Sequence, residues 1–289
     1  MIRATEYKGR PAALVECGEL CATFLPEDGG KLASLTLSGK EMLLTREGCE
    51  YKRLTLGGVY IDSECSAFDD MIPTVDPEES LGYRYLDHGD AARIAYEWEI
   101  SENCLMLKKS SPMLPLSYEK RIEAAEGIKI SYRIENHLDA KLPFLYAAHI
   151  MLRGEEGAKI ITPFTDEDNT EMVFKTSGYS DGELSRDTLG KFSPLGAAYK
   201  FYYTEKIPEG RFAILYPDGC GIEFTYDKEM LPYLGIWFNN GEFQGIHNIA
   251  PEPCTAPFDS PKKALAKGYT AELSPREVFE FSINIRRYN

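Results

Sequence analysis

The sequence predicts an all-β protein. Three observations carry that expectation: alternation with the period of a strand dominates the chain, turn residues interrupt it at short intervals, and only one stretch reads as a helix. Two segments alternate without a break. Ile128, Ile130, Tyr132 and Ile134 fall on one face of an extended chain while Lys129, Ser131, Arg133 and Glu135 fall on the other. Near the end, Phe279, Phe281, Ile283 and Ile285 alternate with Glu280, Ser282, Asn284 and Arg286 in the same way. Both are expected to be half-buried strands. Weaker runs of the same kind cover Leu20 to Leu25, Lys31 to Leu37, Ile94 to Ile100, Leu105 to Lys109, Tyr118 to Ile122, Arg211 to Tyr216 and Ile222 to Tyr226. Between them lie Gly29-Gly30, Ser38-Gly39, Gly57-Gly58, Glu126-Gly127, Pro217-Asp218-Gly219 and Asn239-Asn240-Gly241, each a place where a strand should end. The one short helix is expected over Pro261 to Gly268, with Ser260 as its N-cap and Gly268 as its stop. Many short strands with regular turns make a sandwich or a barrel. No linker, low-complexity stretch or internal repeat divides the chain, so a single domain over residues 1–289 is expected.

Charge narrows the function classes. With 46 acidic against 32 basic residues, the chain carries a formal net charge of −14. A protein that binds phosphate backbones needs clustered Lys and Arg to displace counterions, so DNA, RNA and anionic membranes are not expected partners. The most apolar stretch, Leu142 to Leu152, is broken by Pro143 and His149 and is about half of the roughly 20 residues that a membrane-spanning helix needs. Residues 1–20 hold only Ala12 to Val15 as an apolar run, which is short for a signal peptide, so a cytoplasmic location is expected. The 7 cysteines include no Cys-x-x-Cys pair and no histidine at zinc-ligand spacing, and they read as reduced, packed thiols. The acidic stretch Thr165 to Glu171 lacks the glycine and closing glutamate of an EF-hand and reads as a solvated loop.

Familiar nucleotide-binding and nucleophile motifs are missing. Ser117 to Lys120 spells Ser-x-x-Lys, but it sits in a strand-like segment without the partner motifs. What remains is a set of separated acid and base candidates. The 4 histidines are His88, His137, His149 and His247. His149 has the most apolar neighbours, so it is either a hydrogen-bonded core histidine or a site group whose proton affinity burial would tune. His88 lies in a turn-like Asp87-His88-Gly89. Glu252 stands between Pro251 and Pro253, whose rings restrict the backbone on both sides. That rigidity suits an aimed carboxylate, and equally a purely structural loop.

These residues resemble a known family, the aldose 1-epimerases or galactose mutarotase-like proteins, in order over nearly the whole chain. Gly29 to Leu43 (GGKLASLTLSGKEML) is similar to the family's opening glycine pair, strand and turn. Phe68-Asp69-Asp70-Met71-Ile72-Pro73-Thr74 resembles its acidic Pro-Thr segment, and Asp87-His88-Gly89, followed by the strand holding Trp98, resembles its His-Gly motif. Asn136 through His149 resembles the strand that ends in its second histidine. Leu234-Gly235-Ile236-Trp237 and Pro251-Glu252-Pro253-Cys254-Thr255 resemble its Trp strand and Glu-Pro-x-Thr motif. Two features depart from the pattern: His149-Ile150-Met151-Leu152 replaces His-Pro-x-Phe, and Lys200 in Tyr199-Lys200-Phe201 stands where galactose mutarotases carry a sugar-binding Asp.

The resemblance implies a large antiparallel β-sandwich, the galactose mutarotase-like supersandwich, and interconversion of the α and β anomers of a sugar. It makes Glu252 the base at the anomeric hydroxyl, His149 the acid at the ring oxygen and His88 a stabiliser of the developing charge. Trp237, Asp70, Arg84 and Lys200 are the substrate-binding candidates; Trp237 offers either an apolar face to a sugar ring or a core aromatic. No metal or organic cofactor is needed for such chemistry. The expected partner is a small sugar, bound by a monomer or homodimer. Two rival readings are a non-catalytic carbohydrate-binding protein on the same fold and a sugar-phosphate epimerase using Arg84 and Lys200.

Overall fold

The computed structural model describes residues 1–165, 168–176, 184–185, 188–189 and 196–289, so Asp166 and Glu167 of the acidic loop lie outside the described residues. Among the described residues, two large antiparallel sheets of 12 and 10 strands form a β-sandwich. The larger sheet begins with the consecutive strands Ile2–Tyr7, Arg10–Cys17, Leu20–Leu25 and Lys31–Leu37. It continues through Phe68–Met71, Ala147–Ile150, His247–Cys254, Tyr233–Asn240, Ala197–Tyr203 and Thr170–Lys175. The second sheet centres on Gly127–Asn136 paired with Val278–Arg287, the two segments whose alternation was unbroken in the sequence. Ile128, Ile130 and Ile134 of one, with Ile283 and Ile285 of the other, enter the core, while the alternate side chains stay outside it.

The expected strand from Ile94 starts only at Glu97. A short helical turn, Ala91–Arg93, precedes it, and the backbone there bonds to the neighbouring turn: the Gly29 N–H donates to the Ile94 carbonyl and the Tyr96 N–H to that of Pro26. The expected helix is present at Pro261–Ala266, with the Ser260 hydroxyl accepting from the Lys263 N–H. No helix among the described residues is long and apolar enough to cross a membrane.

Phe68, Ala148, Ile150, Ile236 and Phe238 of the larger sheet share one apolar cluster with Ile130 and Phe281 of the second sheet. Their strand neighbours Asp69, His149 and Trp237 therefore point to the opposite, outer face. The candidate site lies there.

Candidate active site

Six strands that are distant in sequence set a row of side chains across this outer face. Asp69 is paired with His149, Glu252 with Gly235, and Gly235 with Tyr202. Directly opposed residues share a face, so the side chains in such a row meet one another. Lys31 reaches Asp69 at 2.6 Å. Pairing of the Glu252 strand toward His149 is recorded at Cys254 and again at Ile249, with a lapse between them. Pro251 and Pro253 fall in that lapse and have no N–H to give to a ladder.

Glu252 is completely buried, and both of its oxygens are engaged. The His149 Nδ1 lies 2.6 Å from Oε1. Lys200 Nζ forms an ion pair at 2.6 Å with Oε2 and a second, also at 2.6 Å, with Asp259 Oδ1. The Tyr202 hydroxyl donates to the same Asp259 oxygen at 2.8 Å. This cluster needs Gly235: a Cβ there would stand 2.6 Å from Cε1 of Tyr202, the ring whose hydroxyl donates to Asp259.

Burial alone would raise the proton affinity of Glu252, but the Lys200 charge and the His149 hydrogen bond outweigh it and hold the carboxyl at about 2. Glu252 is therefore ionised near neutrality and can only accept, so His149 Nδ1 carries the proton and Nε2 holds the lone pair. Burial pushes His149 below its ordinary value, although Glu252 pulls the other way. Lys200 is pushed above its ordinary value because Asp259 and Glu252 together outweigh its burial.

A second histidine is mounted beside the first. His88 Nδ1 lies 2.8 Å from Asp87 Oδ1, and the ring stacks on Tyr60 with 3.8 Å between centroids and 4° between planes. The His88 and His149 centroids are 5.7 Å apart. Tyr60 is fixed in turn by donating its hydroxyl to Asp69 Oδ2 at 3.0 Å. The loops that carry Tyr60 and His88 are tied together by buried Arg93, whose guanidinium donates to the carbonyls of Thr55, Gly58, Asp87 and Gly89. Gly89 has φ +71°, and a Cβ there would fall 1.8 Å from the Ile72 carbonyl oxygen. Only glycine lets the histidine loop lie this close to the end of the Asp69 strand.

The two histidines line a cavity of about 340 Å³, large enough for a small ligand. Phe174, Trp237 and Phe243 form an aromatic wall, with Trp237 at 5.7 Å from each of the other two rings. Among the described residues that line it, Lys200 is the one Lys or Arg, against the carboxylates of Asp76, Asp87, Glu252 and Asp259. No cluster of His, Cys, Asp and Glu suited to a metal ion occurs among the described residues.

The structure gathers Glu252, His149, His88, Trp237 and Lys200 around this cavity and leaves Asp70 and Arg84 away from it. Asp70 follows Asp69 on its strand and so points inward, where it pairs with Lys120 at 2.5 Å and accepts from the Tyr146 hydroxyl at 2.6 Å. Arg84 is exposed on the hairpin made by Glu78–Ser80 and Tyr83–Tyr85. Sequence reasoning missed Tyr60, Asp69, Arg93 and Asp259. Asp69 could have been found, since strand alternation separates the two acids of Asp69-Asp70; the other three are recruited by tertiary contacts.

No protein-family model and no curated protein sequence matches the chain. Solved structures do. A protein of Klebsiella pneumoniae provisionally named an aldose 1-epimerase superposes with a TM-score of 0.74 at 16% identity, over 98% of this chain and 81% of that one. A galactose mutarotase-like protein of Lactobacillus casei gives 0.65 at 13% identity, over 96% and 100% of the two chains. Slr1438 of Synechocystis gives 0.67 at 19% identity, over 99% and 95%. These likenesses establish the fold as the galactose mutarotase-like β-sandwich.

Proposed function

We propose that this chain is an isomerase of the aldose 1-epimerase type that acts on neutral free sugars. The observation that carries the reading is a pair of adjacent imidazoles, each bound through Nδ1 to a carboxylate, in one cavity: His149 on Glu252 and His88 on Asp87. Anomer exchange needs one proton removed from the anomeric hydroxyl and one delivered to the ring oxygen. The bond from the anomeric carbon to the ring oxygen then breaks, the carbonyl turns, and the ring closes on its other face with the proton transfers reversed.

His149 suits the base. Its Nε2 holds a lone pair, and burial keeps that lone pair unprotonated. Glu252, assigned as base from the resemblance, is a weak base in this setting because its oxygens serve His149 and Lys200. Its part is to orient His149 and stabilise the imidazolium that forms, as a carboxylate does behind a catalytic histidine. His88 supplies the proton to the ring oxygen. Trp237 and its aromatic neighbours offer an apolar surface to the carbon face of the sugar.

Neutral sugars fit because Lys200, the one Lys or Arg among the described lining residues, is neutralised by two carboxylates, whereas an anionic group would meet the other described acids. The test is polarimetry, or exchange spectroscopy by NMR, on freshly dissolved α-glucose and α-galactose with and without the protein. Acceleration of anomer exchange is expected. A rate equal to the buffer control for every neutral aldose tried removes the reading.

A further inference from the structure

We propose that Lys200, held by Asp259, is a positioning residue that fixes Glu252 beside His149 and sets the pH below which His149 no longer accepts a proton. The proposal rests on the epimerase reading above. Lys200 comes from the Ala197–Tyr203 strand and reaches across the Tyr233–Asn240 strand to the carboxylate of the strand beyond it. It lines the cavity but is only 6% exposed, and both of its ion-pair distances are 2.6 Å. A lysine so engaged has little capacity left for a substrate anion. Its partner is pinned independently: the Asp259 backbone carbonyl accepts from the N–H groups of Val75 and Asp76, and its side chain accepts from Tyr202.

Among the described residues, the charged and titratable groups around His149 come from every element packed against it, Cys65 and Asp76 of the cavity lining among them. Glu252 is bound to Nδ1, and Asp69, neutralised by Lys31, is its neighbour on the adjoining strand. Tyr60 and His88 approach from the loops above, with Asp87 behind His88. Lys200 with Asp259 completes the set. Within it, Lys200 is the one cation whose partner is itself bound to His149. Removing its charge takes away a repulsion on the imidazolium and leaves the Glu252 charge uncompensated, and both changes favour protonated His149. Glu252 also loses one of the two contacts that fix its orientation.

Two readouts on the full chain test this: the imidazole titration of His149 by NMR and the pH profile of anomer exchange. In Lys200→Met the His149 titration and the acidic limb of the rate profile should move together to higher pH, by about one unit or more. Lys200→Arg should restore the wild-type position. Asp259→Asn should move the titration the other way, since the Lys200 charge is then opposed by Glu252 alone, and this variant carries the test if Lys200→Met does not fold. A Lys200→Met enzyme slowed equally at all pH values, with His149 titrating as in the wild type, overturns the proposal. If the wild type shows no anomer exchange, the epimerase reading fails, while the NMR titration still decides whether Lys200 governs His149.

Discussion

His149 and Glu252 are 103 positions apart in sequence, yet the Nδ1 of one lies 2.6 Å from the Oε1 of the other in a buried pair. Because the carboxylate is held ionised, the pair has a direction. Glu252 accepts, His149 donates through Nδ1, and the second ring nitrogen is left for chemistry in the cavity.

Replacing Glu252 with Gln keeps the shape and an acceptor oxygen but removes the charge that stabilises an imidazolium. Anomer exchange should slow by about 10²–10⁴-fold, mostly in kcat, as measured by polarimetry. His149→Asn should remove the acidic limb from a bell-shaped profile of kcat/KM. A Glu252→Gln enzyme as fast as the wild type would exclude the carboxylate from the mechanism.

The same shifts make stability depend on pH. Both His149 and Glu252 are displaced below their ordinary values, so each adds stability that is fully present above that ordinary value and fades as pH falls toward the displaced one. The His149 contribution should begin to fade below about pH 6.5, and that of Glu252 between roughly pH 4.5 and 2. Urea unfolding midpoints measured from pH 8 down to 5 should decline below the first boundary. His149→Gln should flatten that part of the curve; if it declines in parallel with the wild type, His149 is not the group responsible.

Charge selection can be checked directly. Glucose should exchange anomers faster, relative to the buffer control, than glucose 6-phosphate or a uronic acid, because the lining acids oppose an anion and the Lys200 charge is already matched. A preference for the phosphorylated sugar would show that Lys200 leaves its carboxylates when substrate binds.

Gly235→Ala tests the space against the Tyr202 ring that supports the Asp259–Lys200 pair. The new methyl would meet the buried Tyr202 ring at 2.6 Å, and that ring holds Asp259 through its hydroxyl. Overpacking of this kind costs about 1–3 kcal/mol, read as a lower urea midpoint. Exchange should slow further than in Tyr202→Phe, which loses one hydrogen bond but keeps the ring in place.

Periodicity revealed the second sheet well because its strands are half-buried, with one face toward the core and one outside it. It revealed little of the sheet that carries the site. Ala147–Ile150 and Ala197–Tyr203 are buried at every position, and His247–Cys254 at all but its first, so no alternation marks them. Their place came from the motif resemblance, which also supplied His149 and Glu252. The resemblance could not supply Asp259 or Arg93. Asp259 matters through the Lys200 that this chain carries, and Arg93 acts by joining two loop carbonyl clusters that are far apart in sequence. The motif names a segment that holds both Asp69 and Asp70, whereas the pleat decides which of two adjacent acids faces the cavity.

The row from Lys31 to Tyr202 also has a consequence for how the molecule comes into being. Its members are supplied by strands from both ends and the middle of the chain, with 38 positions between Lys31 and Asp69 and 103 between His149 and Glu252. Such distant segments pay the entropy of loop closure before their contacts repay it, so folding should be slow and the row one of its late products. A one-residue slip of the Glu252 strand would present Pro251 or Pro253 to His149, and neither carries a carboxylate. In refolding experiments, the return of anomer exchange would then trail the return of β-sheet signal and serve as a clock for the last strands to find their register.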